Sequence, residues 1–322
     1  MNADVSADVS ADVSADVNAD VVVLGGGAAG LAGAVALARS LRDVVVVDAG
    51  EPRNAPAGHA HNVLGREGTA PLDLLAAGRA EARGYGARFL DDRAVTAHRD
   101  GTGFTLGLLS GRVVRARRLL LATGLADELP DVPGLRRFWG GSVLHCPFCH
   151  GYEVRGQRIG VLGSRPSALH QALMFRQLSP DVTLFVQDLD VPAETAQQYR
   201  ALGITVREGT VRRVGGTPGD LVVDLDGEDV GVQALVVTPY YRARADLFRQ
   251  LGGQLATNPM GEFVPTRPGG ATDVPGVWAA GNVADPGAML AASTGAGVMA
   301  GAAINGDLIT EDARALVARA AV

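Results

Sequence analysis

A chain of 322 residues, 47% hydrophobic and 20% charged, is long enough to bury one large domain or two ordinary ones. A formal charge of −6 gives no electrostatic reason to expect nucleic acid or an anionic membrane as partner, and no uninterrupted apolar run is long enough to span a bilayer. The 43 glycines exceed average usage, so many positions must turn tightly or let backbone approach something closely.

Residues 1–18 repeat the tetrad Ala-Asp-Val-Ser and end in Ala-Asp-Val-Asn. They lack the basic start and apolar centre of a secretory signal, and read as a disordered low-complexity tail. A cytoplasmic location follows as the default, and there thiols are kept reduced. Order is expected from the apolar run Ala19–Leu24, which stops at Gly25-Gly26-Gly27-Ala28-Ala29-Gly30. An Ala/Leu-rich helix follows, then Val44-Val45-Val46-Val47 and Asp48. Strand, glycine turn, helix, strand and acid make the dinucleotide fingerprint. Gly25 makes the turn, Gly27 lets backbone approach a pyrophosphate, Gly30 permits close packing, and Asp48 accepts from a ribose.

Farther along, the run Arg118–Leu121 ends at Ala122-Thr123-Gly124, and residues 127–141, with Pro130 and Pro133, read as a linker. Both cysteines fall in His145-Cys146-Pro147-Phe148-Cys149-His150-Gly151-Tyr152-Glu153. A second βαβ unit follows: an apolar run to Gly163, a helix over 170–178, and Val182–Val186. Gly276–Ala280 then runs into Gly281-Asn282-Val283, and a small-residue helix is expected over 288–308. Two nucleotide-fold signatures with cysteines between them indicate two α/β domains, one inserted into the other.

Together these residues resemble the low-molecular-weight thioredoxin reductases over nearly everything after residue 18. The match rests on Gly25/Gly27/Gly30 with Asp48, His61-Asn62-Val63-Leu64-Gly65, Ala122-Thr123-Gly124, Cys146-Pro147-Phe148-Cys149 and Gly281-Asn282-Val283. The resemblance implies an α/β fold of two Rossmann-like three-layer domains. A discontinuous FAD domain would span 19–126 and 241–322, and a central pyridine-nucleotide-type domain, 127–240, would carry the CxxC. It also implies a homodimer, and places Asn62 near the isoalloxazine ring. Asn282 stands where the family has an aspartate on the ribityl chain; an amide can still donate and accept there. The family's Arg-Gln-Ala segment is replaced around Ala288-Met289-Leu290.

Zinc is disfavoured at the cysteine stretch, because all four candidate ligands sit on one short segment and no second cysteine pair exists. A structural disulfide would close a very short loop, with little entropic gain and a labile bond. Lability suits an exchanging redox centre. By resemblance, Cys149 faces the flavin and Cys146 attacks the partner. His150 takes the place of the aspartate that commonly follows the second cysteine, and an imidazole titrating near neutrality serves as acid and base. His145 is a candidate for the same work or for support.

The central domain should carry GxGxxA for a nicotinamide, yet it reads Gly163-Ser164-Arg165-Pro166-Ser167-Ala168. Arg165 replaces the glycine at which backbone approaches pyrophosphate. NADPH-specific relatives place an arginine cluster after the next strand; here Gln187-Asp188-Leu189-Asp190 stands there instead. Acids repel a 2′-phosphate, so NADPH is disfavoured, while NADH or no nicotinamide stays open. Without one, electrons would come from ferredoxin, a flavin-linked donor or the substrate dithiol. The HCPFCHGYE form also resembles a branch that includes the dithiol oxidases of gliotoxin and holomycin biosynthesis. Four readings follow: a reductase of a small-molecule disulfide or a thioredoxin-like protein, an oxidase making disulfides with oxygen, a flavin redox sensor, and an inactive relative.

Overall fold

The computed structural model describes residues 16–101 and 103–320. Most of the expected tail, 1–15, lies outside the described residues. Its end is corrected: the first strand is Val17–Leu24, because Val17 and Asn18 pair with Val114 and Arg115, and Arg115 also binds Asp16.

The first lobe is a seven-stranded sheet. Its parallel part runs in the order Arg88–Asp91, Val44–Asp48, Val17–Leu24, Val113–Leu121, with Val277–Ala279 beyond. Val21–Leu24, Val44–Val47 and Leu119–Leu121 are buried on both faces, which is why they read as continuous apolar runs. Helices Ala28–Arg39 and Leu290–Ala320 cover one face. They touch backbone to backbone, since a Cβ at Gly297 would come within 2.0 Å of the Ala29 carbonyl oxygen. An antiparallel hairpin, Ala94–Asp100 with Gly103–Leu108, packs into the core of the other face.

The second lobe has a five-stranded parallel sheet ordered Thr205–Arg207, Val182–Phe185, Ile159–Leu162, Ala234–Val236, Val143–Leu144. Helices Ser167–Arg176 and Ala193–Leu202 lie on one side, and a three-stranded antiparallel sheet over 211–232 on the other. The fold is therefore two Rossmann-like three-layer domains, with one inserted into the other. The chain crosses between them at Leu125–Glu128 and Tyr240–Ala243, which pair antiparallel with Tyr241 opposite Asp127. The segment read as a linker holds part of this strand and a helical turn, Leu135–Phe138. Leu135 and Phe138 are buried against Val211 and Val214, so apolar docking outweighs the flanking prolines.

The last helix runs twelve residues past its expected end at Leu308. Its final turns dock through charge. Arg118, 8% exposed, binds Asp307 at 2.6 Å and Glu311, while Arg117 reaches Glu311, Asp312 and Asp20. Partial burial raises the Glu311 carboxyl, but bonds and charge from Arg117 and Arg118 outweigh it and hold it below the usual glutamate value. Arg118→Ala is expected to lower stability by on the order of 1–3 kcal/mol at pH 7 in urea unfolding. Glu311 is stabilising above its unfolded pKa and loses that contribution as pH falls through its lower folded value. The gap between wild type and variant should therefore narrow below about pH 4.

Candidate active site

The carboxyl ends of Val17–Leu24, Val44–Asp48, Val113–Leu121 and Val277–Ala279 open on a cavity of about 820 Å³ that reaches the cysteine turn of the second lobe. Gly25 has φ +103°, and a Cβ there would meet the Ala122 carbonyl oxygen at 2.4 Å. At Gly30 a Cβ would come 1.9 Å from the Gly25 oxygen, so this residue serves packing and does not line the cavity. Gly27, at the helix N-terminus, faces open space. An open cradle, free first-turn amides and Asp48 at the next strand end fit the pyrophosphate and ribose of FAD.

Around that cradle, Ala122, Thr123, Gly124 and Gly281 line the cavity. The Thr123 hydroxyl donates to the Arg244 carbonyl at 2.5 Å, which ties the strand end to the second crossover. Asn282 also lines the cavity. Its Nδ2 donates to the carbonyls of Asp285, Pro286 and Ala288, and its Oδ1 accepts from Arg53 at 3.3 Å. The amide thus shapes the loop before the last helix. Asn62 has φ +60° and lines the cavity, but its Nδ2 donates at 2.7 Å to the Phe148 carbonyl in the cysteine turn.

Cys146 caps a single helical turn, Pro147–His150, with proline at its first position. The amides of Cys149 and His150 both donate to the Cys146 carbonyl, and the turn sets the cysteines three apart on one face, disulfide-bonded with Cα atoms 5.2 Å apart. The two flanking histidines differ. His145 is enclosed by Trp139, stacked at 5.6 Å, and by Tyr241, whose hydroxyl lies 3.3 Å from Nδ1, with one edge toward the cavity. Burial, and then the charge of Arg53, lower its pKa to about 4, so it is neutral at pH 7. Burial also lowers His150, but Glu153 pulls the other way, and its Nε2 is buried without a partner among the described residues.

Three residues joined to this site carried no sequence signal. Arg53 grips Asp127 through Nε and Nη2 at 2.8 and 2.6 Å, and its guanidinium lies 4.9 Å from the Tyr241 ring centroid. Their partners are far apart in sequence, so only a short loop after Asp48 could have pointed to Arg53. Among the described residues, no group of three or more His, Cys, Asp or Glu could hold a metal ion, and no helix is long and apolar enough to cross a membrane.

Away from the cavity lie Gly163, Arg165 and Ala168. Gly163 packs on the carbonyls of Phe185 and Val186, and Ala168 is fully buried. The Arg165 guanidinium stacks on Tyr240, 4.8 Å from the ring centroid, with Arg242 at 4.9 Å from the same ring. Asp188 and Asp190 are exposed on the turn after Val182–Phe185.

The chain matches the pyridine nucleotide-disulphide oxidoreductase family over residues 19–297. Thioredoxin reductase tcpT of Claviceps purpurea (strain 20.1) is 34% identical over 289 residues, covering 84% of this chain and 87% of its own. Thioredoxin reductase sirT of Leptosphaeria maculans is 30% identical over 307 residues, covering 88% and 92%. Among solved structures, HlmI superposes with a TM-score of 0.88 at 44% identity, over 94% of this chain and 96% of its own. An oxidoreductase from Agrobacterium tumefaciens gives 0.87 at 35% identity, over 91% and 99%.

The neutral His145 makes a stability prediction. Below pH 6.5 the unfolded chain binds a proton at this imidazole, while the folded one does not until about pH 4. Stability should therefore fall with pH across that window, by about 2 kcal/mol between pH 7 and pH 5. His145→Gln should remove that share of the slope in urea unfolding at the two pH values.

Proposed function

Because the chain belongs to the pyridine nucleotide-disulphide oxidoreductase family as a thioredoxin reductase-like enzyme, we propose that it runs thiol–disulfide exchange in the oxidising direction, closing a small-molecule dithiol to a disulfide through Cys146 and Cys149. The reading rests on Arg165. A nicotinamide cofactor needs bare backbone where its pyrophosphate docks, and that position carries a guanidinium laid on Tyr240. The exposed Asp188 and Asp190 add repulsion toward a 2′-phosphate. With that seat filled, the substrate dithiol is the electron source.

FAD is the cofactor the family implies, held by residues 19–126 and 241–322, with 127–240 presenting the cysteines. When bound, the flavin supplies the two-electron sink for the reduced cysteine pair. The protein's own groups do the rest. A substrate thiolate attacks the Cys146 sulfur, Cys149 departs as thiolate, and the second substrate thiol closes the product disulfide and releases Cys146. His150, half-buried with an unpartnered Nε2, holds the proton that each thiol must lose. His145, neutral and bound by Tyr241, supports the turn rather than taking that proton.

Anaerobic mixing tests the direction. Dithiothreitol should bleach the flavin band, NADPH and NADH should not, and air should restore the colour with peroxide formed. Prompt bleaching by either nicotinamide would assign the reductase direction. Cys146→Ser should slow multiple-turnover dithiol oxidation more than about a hundred-fold with FAD still bound. Unchanged turnover would remove the cysteine pair from the reaction.

A further inference from the structure

The cysteines stand on one lobe and the dinucleotide cradle on the other, with two crossover strands between them. Transfer from one to the other needs the cysteine turn held at a fixed place on the cavity wall, because rates fall steeply when reacting groups are displaced. Pro147–His150 is a single helical turn, and a helix end leaves carbonyls without partners of its own. The Cys146 and Pro147 carbonyls accept from the amides of Cys149, His150 and Gly151. The Phe148 carbonyl, which lies between the cysteines in sequence, takes no backbone amide among the described residues. Its partner comes from the other lobe, where Asn62 Nδ2 donates to it at 2.7 Å.

Asn62 is presented by a loop that is itself well braced. The Ala60 amide donates to the Thr69 carbonyl at 2.8 Å and the Gly68 amide to the Ala60 carbonyl at 3.0 Å, which closes the base. Inside the loop the Glu67 carboxylate binds twice: Oε2 accepts the Asn62 amide at 2.9 Å, and Oε1 lies 2.6 Å from His61 Nδ1. Asn62 has φ +60°, a left-handed conformation that asparagine adopts more readily than most side chains. The same loop reaches the second lobe again through His61 Nε2, 3.4 Å from Glu153 Oε1 just past the turn. The lobes also touch ahead of the cysteines, where a Cβ at Gly140 would come 2.5 Å from the Pro56 Cβ.

We propose that the loop over 60–69 is a clasp that seats the cysteine turn against the cavity, with Asn62 as the positioning residue that grips it. Asn62 acts through the Phe148 carbonyl and exchanges neither electrons nor protons. Glu67 acts one step farther out, by fixing the backbone from which Asn62 reaches across. The clasp rests on the reading of Cys146 and Cys149 as a pair that exchanges electrons with the flavin, and it holds for either direction of that exchange. Without it the turn keeps its own backbone bonds and its disulfide, so thiols still react there. What is lost is the register between that turn and the first lobe.

Two variants test it. Asn62→Gly removes the amide and keeps a residue at ease with positive φ, while Glu67→Ala loosens the loop from a position that does not line the cavity. Each is checked for bound FAD and mixed anaerobically with saturating dithiothreitol. Reduction of the Cys146–Cys149 disulfide is followed by thiol trapping, flavin bleaching by absorbance, and the flavin midpoint potential is measured separately. Both variants should lower the limiting bleaching rate, Asn62→Gly by roughly ten-fold, with the rate of disulfide reduction and the potential unchanged. The double variant should lose less than the product of the two single losses, because Glu67 works through Asn62. An unaltered bleaching rate in Asn62→Gly overturns the clasp. So does a shifted potential beside a normal Glu67→Ala, which would make Asn62 a direct flavin contact, and so does an equal slowing of disulfide reduction, which would place the damage in the turn. Bleaching of the wild type by NADH would reverse the proposed direction and leave the clasp standing, whereas a wild type that dithiothreitol cannot bleach would remove the exchanging pair and the clasp together.

Discussion

Two strands carry the chain between the lobes, and one arginine holds both. Arg53 binds Asp127 on the first crossover with two parallel bonds and lies over Tyr241 on the second, directly opposite in the antiparallel pair. Burial would lower its pKa, but Asp127 more than compensates, and the guanidinium stays charged. Removing a charge from water is costly unless its partner is close and its donors are used, and both conditions hold here. The consequence reaches both functional halves. Through Asn282 the same guanidinium braces the loop below the cavity, and through Tyr241 it braces His145 beside the cysteines.

This bracing separates two imidazoles that look equivalent on paper. His145 is walled in by an indole, a phenol and a cation, all of which favour the neutral ring. His150, five residues on, is also lowered by burial, while Glu153 acts the other way. Burial lowers both rings, but only His150 has a carboxylate, that of Glu153, acting against it as the next largest influence. Cysteine and histidine spacing alone could not have shown this difference in surroundings.

What the sequence made legible was local. Glycine turns, Val runs and the CxxC each encode their geometry within a few residues, so both parallel sheets and the inserted arrangement could be read directly. Contacts between distant segments could not. The hairpin over 94–108 and the sheet over 211–232 are built from short, half-polar strands whose pairing supplies the burial that the local pattern lacks. The last helix was cut short because its final turns dock through Asp307, Glu311 and Asp312, not through an apolar stripe. The bonds that Asn282 makes to the loop were not legible either, since they depend on how the following segment folds back.

Arg165 shows the same limit from the other side. Replacement of the cradle glycine was visible at once, but an arginine at such a position has two opposite meanings. Extended into the cleft, its guanidinium would add a phosphate ligand; folded away, it withdraws one. Here the guanidinium lies on Tyr240, one residue before the Tyr241 that touches His145. Arg165 thus leans on the strand that braces the cysteine turn. Neighbouring residues of one strand therefore hold the arginine at the altered glycine position and the imidazole beside the dithiol.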